Sequence, residues 1–213
     1  MLGTKIESWA TLNQVLSILA SYHEINVPMN CINTKQEKYI VRRNRRLYVP
    51  GGIYFITSVT WQRKPLFKEN AMVETLRQTL RNVRQLYTFT MQAYIFLPDH
   101  FHIMLRLTPP VTISQIMHSF KRNFTWNYKK AKEIPRSTSL RLWQYGSWDH
   151  VIRDEIDHAK HFDYIHYNAV KHGCAAKPED FPHSSYMTYV EKGWYEIGWG
   201  YAEPRNLRDL DFE

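Results

Sequence analysis

Apolar residues recur along the chain with two different spacings, and each spacing predicts one kind of element. Three stretches are rich in β-branched and aromatic residues and are bounded by turn residues, which is typical of strands. They cover residues 53–61, 89–97 and 102–107. Three longer stretches carry apolar residues every three or four positions, which predicts amphipathic helices; they cover residues 68–87, 113–132 and 154–172. The same spacing predicts one more helix near the start of the chain, over residues 10–22.

The order of these elements indicates the fold class. A strand, a helix and then two strands joined by a short turn make up the first half of a ferredoxin-like layer. We therefore predict an α+β fold, with a ferredoxin-like antiparallel sheet, helices on one face and an extra N-terminal helix. Residues 26–36 have little periodicity and contain Pro28, which is typical of a linker. Residues 1–38 are thus predicted to be a partly helical or flexible extension, and residues 39–213 the folded domain.

Composition and net charge exclude several classes of protein. Of the 213 residues, 44% are hydrophobic and 23% charged, which argues against a mainly disordered chain. The formal net charge of +8 points to a polyanionic partner without naming it. Two cysteines are too few for a disulfide framework or a four-thiolate zinc site. No apolar run reaches the length of a membrane span, so we expect a cytoplasmic protein without a membrane partner.

The first candidate chemistry is a pair of histidines at the start of a predicted strand. Because strand side chains alternate between faces, His100 and His102 should share one face while Phe101 lies on the other. Two imidazoles on one face can hold a metal ion, or they can simply be histidines on a half-exposed strand. Asp99, beside them, could ligate the ion directly, could orient a ligand from behind, or could be an ordinary turn residue.

The second candidate is a line of polar residues on the helix at 154–172. At about 100° per residue, one narrow stripe holds Asp157, His161, Tyr164, Asn168 and Lys171. We expect the apolar arc of this helix to pack on a sheet and the polar line to present the tyrosine hydroxyl. Together with the histidine pair and the positive charge, this favours phosphoryl chemistry with Tyr164 as a covalent nucleophile. The alternative is that Tyr164 is an ordinary packed tyrosine.

Several blocks of the sequence resemble one known family. The string LPDHFHIM at residues 97–104 resembles the HUH motif (His, hydrophobic residue, His) of the REP-associated tyrosine transposases, relatives of single-strand insertion-sequence transposases. RLYVPGGIYFIT at 46–57 is similar to the opening strand of that family, and WQYGSWDHVIR at 143–153 to its tryptophan-rich segment. FDYIHYNAVKHG at 162–173 resembles its nucleophile helix, and residues 181–190 and 193–200 resemble its tail. The resemblance spans residues 42–200 in order.

The resemblance implies specific roles for residues of this chain. His100 and His102 become ligands of a divalent ion, Mg²⁺ or Mn²⁺, and Tyr164 becomes the nucleophile that forms a 5′-phosphotyrosine. Asn168 stands where relatives place a third, polar ligand one turn after the tyrosine. Ala169 replaces the proline that usually follows, which affects only the shape of the helix end.

The expected partner is single-stranded DNA folded into a short hairpin, and a monomer is favoured over a homodimer. Basic residues expected to contact this DNA lie in an N-terminal arm, on the helix at 113–132 and beside the nucleophile; they are Arg42, Arg43, Arg45, Arg46, Lys121, Arg122, Lys129, Lys130 and Lys171. Aromatic residues interleaved with the helical lysines suit base stacking, but Phe120 and Phe124 fit the core side of that helix better.

Three functions compete at this point. The favoured one is a metal-dependent endonuclease and strand transferase that uses a tyrosine nucleophile on single-stranded DNA hairpins. The second is a domesticated protein that binds hairpins without chemistry. The third is a phosphoesterase that activates water on a metal, although the chain lacks the carboxylate cluster that two-metal sites usually show.

Overall fold

The structure, a computed structural model, describes residues 48–208. Within them lie four strands and four α-helices, which in chain order are β1 Ile53–Val59, α1 Asn70–Leu86, β2 Phe89–Phe96, β3 His100–Leu107, α2 Ile113–Ala131, β4 Trp148–Val151, α3 Glu155–Lys171 and α4 Tyr186–Glu191. The predicted N-terminal helix, the extension at 1–38 and the four arginines at 42–46 lie outside the described residues. In residues 48–208 we find no helix with the length and apolar character that crossing a bilayer requires.

The four strands form one antiparallel sheet in the order β2-β3-β1-β4. This order confirms the predicted ferredoxin-like α+β fold. Strand β4 was not predicted, because it is only four residues long and half of them, Asp149 and His150, are polar. It pairs with β1 in a register that sets Thr57 opposite Trp148 and Phe55 opposite His150.

One face of the sheet, the core face, carries Tyr54, Ile56, Phe101, Ile103 and Leu105. Helices α1 and α2 cover this face with apolar residues of their own, Met72, Val73, Leu76, Leu80, Val83, Ile113, Ile116, Met117, Phe120 and Phe124. Phe120 and Phe124 are fully buried there, which confirms that they belong to the core side of α2. This layer contributes most of the large apolar residues that stabilise the fold.

The opposite face, the histidine face, carries Phe55, Thr57, His100, His102 and Met104. Helix α3 packs on this face, and the segment from 181 to 207 packs on α3. The expectation of helices on one face therefore holds for α1 and α2 but omits α3. The physical reason is that β1 and β3 are buried on both sides, so a single layer of helices could not cover the sheet.

Helix α3 has a defined beginning and end, and these fix which of its residues meet the sheet. Asp154 caps its first turn, because its side chain accepts a hydrogen bond from the Asp157 backbone N–H at 2.8 Å. His172 caps the other end, and Gly173 follows in the left-handed conformation with φ of 65°. The stop at Gly173 agrees with the predicted helix end.

Candidate active site

The two histidines of the HUH string lie side by side on the histidine face. Their ring centroids are 5.0 Å apart, and both side chains are buried. Phe101 between them points into the core face, where it packs on Phe120 with centroids 5.4 Å apart. The predicted division of these three residues between the two faces is thus confirmed.

Each imidazole is oriented by a hydrogen bond to its Nδ1 atom. Asp99 Oδ1 lies 2.5 Å from Nδ1 of His100, and Thr57 Oγ1 lies 2.8 Å from Nδ1 of His102. Thr57 occupies this position because β1 and β3 pair in a register that sets it directly opposite His102. Since Nδ1 of both rings is engaged in this way, Nε2 is the nitrogen that each would offer to a metal.

Asp99 is a buried carboxylate that contacts His100, as expected for the orienting role among its three alternatives. Its second oxygen accepts a hydrogen bond from Arg63 at 3.1 Å, and Thr60 binds its main-chain carbonyl through both N–H and Oγ1 at 2.8 Å. Burial alone raises the pKa of Asp99, but the hydrogen bonds and positive charge of His100 and Arg63 outweigh burial and hold that pKa below its ordinary value. Asp99 is therefore a carboxylate fixed behind His100.

Sequence reasoning missed Arg63 and Thr57. Arg63 lies in a short 3₁₀ segment after β1 and has a left-handed backbone with φ of 50°, which is uncommon outside glycine. Thr57 ends the strand block at 46–57, but that block assigned it no role, and Arg63 lies outside every block that resembles the family. Each reaches the site only through the pairing of β1 with β3, which no local pattern encodes.

Tyr164 faces the histidine pair from α3. Its ring centroid lies 5.5 Å from that of His102 and 6.0 Å from that of Phe55, with the rings meeting edge to face. The residue is only 2% exposed. The polar line of the helix meets the sheet as well as the apolar arc: Asp157, His161 and Asn168 are buried, because the histidine face is itself polar and receives them.

Asn168 lies on α3 between two residues that touch the histidines. Tyr164, one turn earlier, packs on His102, and His172, one turn later, packs on His100 with centroids 4.9 Å apart. Asn168 therefore faces the interval between the two rings. Within the described residues, neither its amide nitrogen nor its carbonyl oxygen has a hydrogen-bond partner, although the side chain is fully buried. An amide buried in this way carries a large cost unless a ligand satisfies it.

Lys171 contacts the tyrosine. Its Nζ donates a hydrogen bond to Tyr164 Oη at 3.0 Å and lies 4.7 Å from the centre of the same ring. Lys171 is exposed as a residue, whereas Tyr164 is buried, so this contact links the phenol to the protein surface. The DNA contact predicted for Lys171 stays a prediction, while its contact with the phenol is a new observation.

A second group of metal-ligand residues lies beside this pair. His150, Asp157 and His161 have donor atoms within 4.8 Å of one another, close enough for one ion. Asp157 accepts hydrogen bonds from His150 at 2.8 Å and from Arg153 at 3.0 Å. These contacts outweigh burial and hold the pKa of Asp157 well below its ordinary value. Because Arg153 already balances its charge, we assign the cluster to anchoring the start of α3 on β4.

The outer side of α3 is held by the segment from 181 to 207. His166 makes hydrogen bonds with Tyr195 Oη at 2.9 Å and Ser185 Oγ at 2.7 Å. Asp163, the residue before the tyrosine, accepts hydrogen bonds from Tyr195 at 2.8 Å and Asn206 at 2.7 Å. The helix that carries Tyr164 is thus fixed from both sides.

The predicted DNA-contacting residues of α2 lie on the other layer from the histidines. Lys121 donates to the carbonyl of Gly146, and Lys129 donates to the carbonyls of Arg136 and Thr138, so both hold the loop after α2. Arg122 and Lys130 are exposed. Contact of these four residues with DNA stays a prediction.

The chain is similar to known proteins over the same region. A family model described as transposase IS200 like matches residues 49–168. A protein of Haemophilus influenzae named as a REP-associated tyrosine transposase is 32% identical over 162 residues, covering 73% of this chain and 92% of that protein. The REP-associated tyrosine transposase of Escherichia coli is 30% identical over 157 residues, covering 73% of this chain and 88% of that protein.

A solved structure agrees with these relatives. The structure of a REP-associated tyrosine transposase bound to a REP hairpin matches with a TM-score of 0.66 and 27% identity, over 78% of this chain and 96% of that chain. The matched region contains the histidine pair, the tyrosine and the asparagine, because the family model ends at residue 168. The resemblance found in the sequence is confirmed, and the chain belongs to the IS200-like transposase family as one of its REP-associated tyrosine transposases.

Proposed function

We propose that this transposase is a metal-dependent endonuclease and strand transferase that acts on single-stranded DNA at REP-like hairpins and forms a 5′-phosphotyrosine on Tyr164. The observation that carries the proposal is the contact of the Tyr164 ring with His102, on a face where Asn168 is buried without a hydrogen-bond partner among the described residues. The hairpin comes from the solved relative, which is bound to one.

The donor set fits a divalent ion. His100 and His102 would offer Nε2 atoms and Asn168 its carbonyl oxygen, and such a partial shell leaves positions for phosphate and water. Coordination would also satisfy the buried carbonyl oxygen of Asn168. When bound, Mg²⁺ or Mn²⁺ would polarise the phosphate oxygens and neutralise charge developing on them.

The residues of the chain supply the nucleophile and its activation. Tyr164 Oη gives up its proton to water and forms the bond to phosphorus, while the bond from phosphorus to the 3′ oxygen of the preceding nucleotide breaks. That oxygen takes up a proton from water and leaves as a 3′-hydroxyl, so one proton is released and one is consumed. The ammonium of Lys171, 3.0 Å from Oη, stabilises the phenolate that attacks. Asp99 and Thr57 keep the two imidazoles oriented throughout.

The decisive experiment is formation of a covalent adduct. Purified protein incubated with a labelled REP-like hairpin and Mn²⁺ should yield a protein–DNA adduct, and Tyr164→Phe should abolish it. Tyr167→Phe is the matched control, because Tyr167 lies on the same helix but is half-buried away from the histidines, and its adduct should persist.

The competing functions give different results in the same assay. An adduct that survives Tyr164→Phe contradicts the assignment of the nucleophile. Tight hairpin binding with no adduct and no need for a divalent ion favours the non-catalytic binding protein. Cleavage that survives Tyr164→Phe but not His100→Ala favours a metal phosphoesterase.

A further inference from the structure

Trp148 lies next to the site, within the tryptophan-rich segment at 143–153, and has no assigned role. It is the first residue of β4 and pairs with Thr57 of β1, and Thr57 in turn binds His102 of β3. Side chains that pair directly across neighbouring strands lie on the same face. His102, Thr57 and Trp148 therefore form one row across the histidine face, with Trp148 at the edge of the sheet.

The indole is exposed although it borders a buried site. Trp148 is 46% exposed, whereas the phenylalanine beside it, Phe55, is fully buried. Phe55 meets Trp148 edge to face at 5.7 Å and also contacts Tyr164 and His102. A single buried ring thus separates the exposed indole from the proposed nucleophile and from a metal ligand.

The exposed indole is also held rigidly. Its ring is almost parallel to that of His150, with an interplanar angle of 7° and centroids 6.0 Å apart. His150 stacks in turn on His161 at 4.6 Å and 11°, and Asp157 holds His150 through a 2.8 Å hydrogen bond. The column of three rings fixes the indole before any ligand arrives, so little conformational entropy is lost when a flat partner stacks on it.

We propose that Trp148 is a stacking platform for one unpaired nucleobase that flanks the scissile phosphate. The inference rests on the proposed function, since it takes the ligand to be single-stranded DNA. A rigid indole beside a phosphate-binding site suits a base, because every base has a π-face and stacking tolerates any sequence. The net charge of +8 favours a nucleic acid over another apolar surface as the occupant.

The test compares two probes that differ only in their bases. The full-length protein is titrated, without divalent ion, with a hairpin oligonucleotide that carries thymidine tails and with the same hairpin carrying abasic tails. The wild type should bind the thymidine probe about 10-fold more tightly. Trp148→Leu should reduce this ratio to near one and leave affinity for the abasic probe unchanged, whereas Trp148→Phe should keep most of the ratio.

Trp194→Leu serves as the control, because Trp194 is similarly exposed (54%) but packs on Phe162 and Tyr189. Its ratio of affinities for the thymidine and abasic probes should equal that of the wild type. An unchanged ratio in Trp148→Leu, an equal loss of affinity for both probes, or a wild type without preference for thymidine overturns the proposal. Because no chemistry is needed, a base preference lost in Trp148→Leu supports the platform even where the adduct assay fails.

Discussion

Replacing Asp99 by Asn tests whether the carboxylate behind His100 prepares it for metal binding. Asp99 Oδ1 lies 2.5 Å from His100 Nδ1, and Oδ2 lies 3.1 Å from Arg63. Asparagine keeps the shape but removes the charge that both partners face, and its amide can place an N–H where His100 needs an acceptor. Loss of such an orienting partner typically costs about 10- to 100-fold in metal affinity.

The same change should lower stability, because Arg63 loses its ion pair with the Asp99 carboxylate in a largely buried position. Asp99 is 1% exposed and Arg63 15%, so solvent replaces the lost contact poorly. A hydrogen bond between charged groups in this setting is worth about 1.5–3 kcal/mol. Glu69→Gln is the control, since Glu69 pairs with Lys132 at 2.9 Å on the exposed surface, and its loss should change stability much less than Asp99→Asn does.

Calorimetric titration with Mn²⁺ and denaturant unfolding measure the two effects on the same samples. Affinity for Mn²⁺ should fall at least 10-fold in Asp99→Asn and be lost in His100→Ala. If Asp99→Asn binds Mn²⁺ as the wild type does while His100→Ala does not, Asp99 has no part in preparing the ligand.

Two further predictions concern α3. Lys171→Met should slow adduct formation in single-turnover assays about 100-fold, because it removes the charge beside the phenolate. Lys171→Arg should give an intermediate rate, and both variants should bind the hairpin as tightly as the wild type. Weaker hairpin binding at an unchanged rate would instead make Lys171 a DNA contact. Burial lowers the pKa of His166 from 6.5 to about 3 in the folded chain. The unfolded chain therefore binds more protons below pH 6.5, and the stability present above that pH is lost progressively as pH falls toward 3. The contribution of His166 to the free energy of unfolding should be about 2 kcal/mol smaller at pH 5 than at pH 7.5. Glutamine cannot titrate, so urea unfolding of His166→Gln should show a loss of stability between these pH values that is smaller by that amount. An equal pH dependence in both proteins would contradict a neutral buried imidazole.

Local periodicity is enough to predict the histidine pair and the helix opposite it. His100 and His102 share a face because strands alternate, and Tyr164 and Asn168 share a stripe because helices repeat. Periodicity does not predict the environment of the polar stripe: we expected the apolar arc of α3 to pack on the sheet, and the polar stripe meets the sheet as well, on a face that is also polar. An amphipathic pattern separates two sides of a helix without saying which side a neighbour will cover.

The contacts that complete the site depend on strand pairing. Thr57 reaches His102 and Trp148 reaches the site only through the registers of β1 with β3 and β4. Strand β4 has no hydrophobic alternation of its own, and Arg63 reaches Asp99 across 36 positions of sequence. Such long-range pairings follow from the packing of the whole sheet, so a single sequence does not reveal them.

The depth at which Tyr164 lies bears on the fate of the cleaved strand. A phosphate ester on Oη would lie beside Lys171 Nζ, on a tyrosine that is only 2% exposed and whose ring packs on Phe55 and His102, so few water molecules could reach it. Hydrolysis of that ester would then be slow compared with its capture by an incoming 3′-hydroxyl delivered by the DNA itself. We expect the enzyme to preserve a severed strand for rejoining rather than to release it as a broken end.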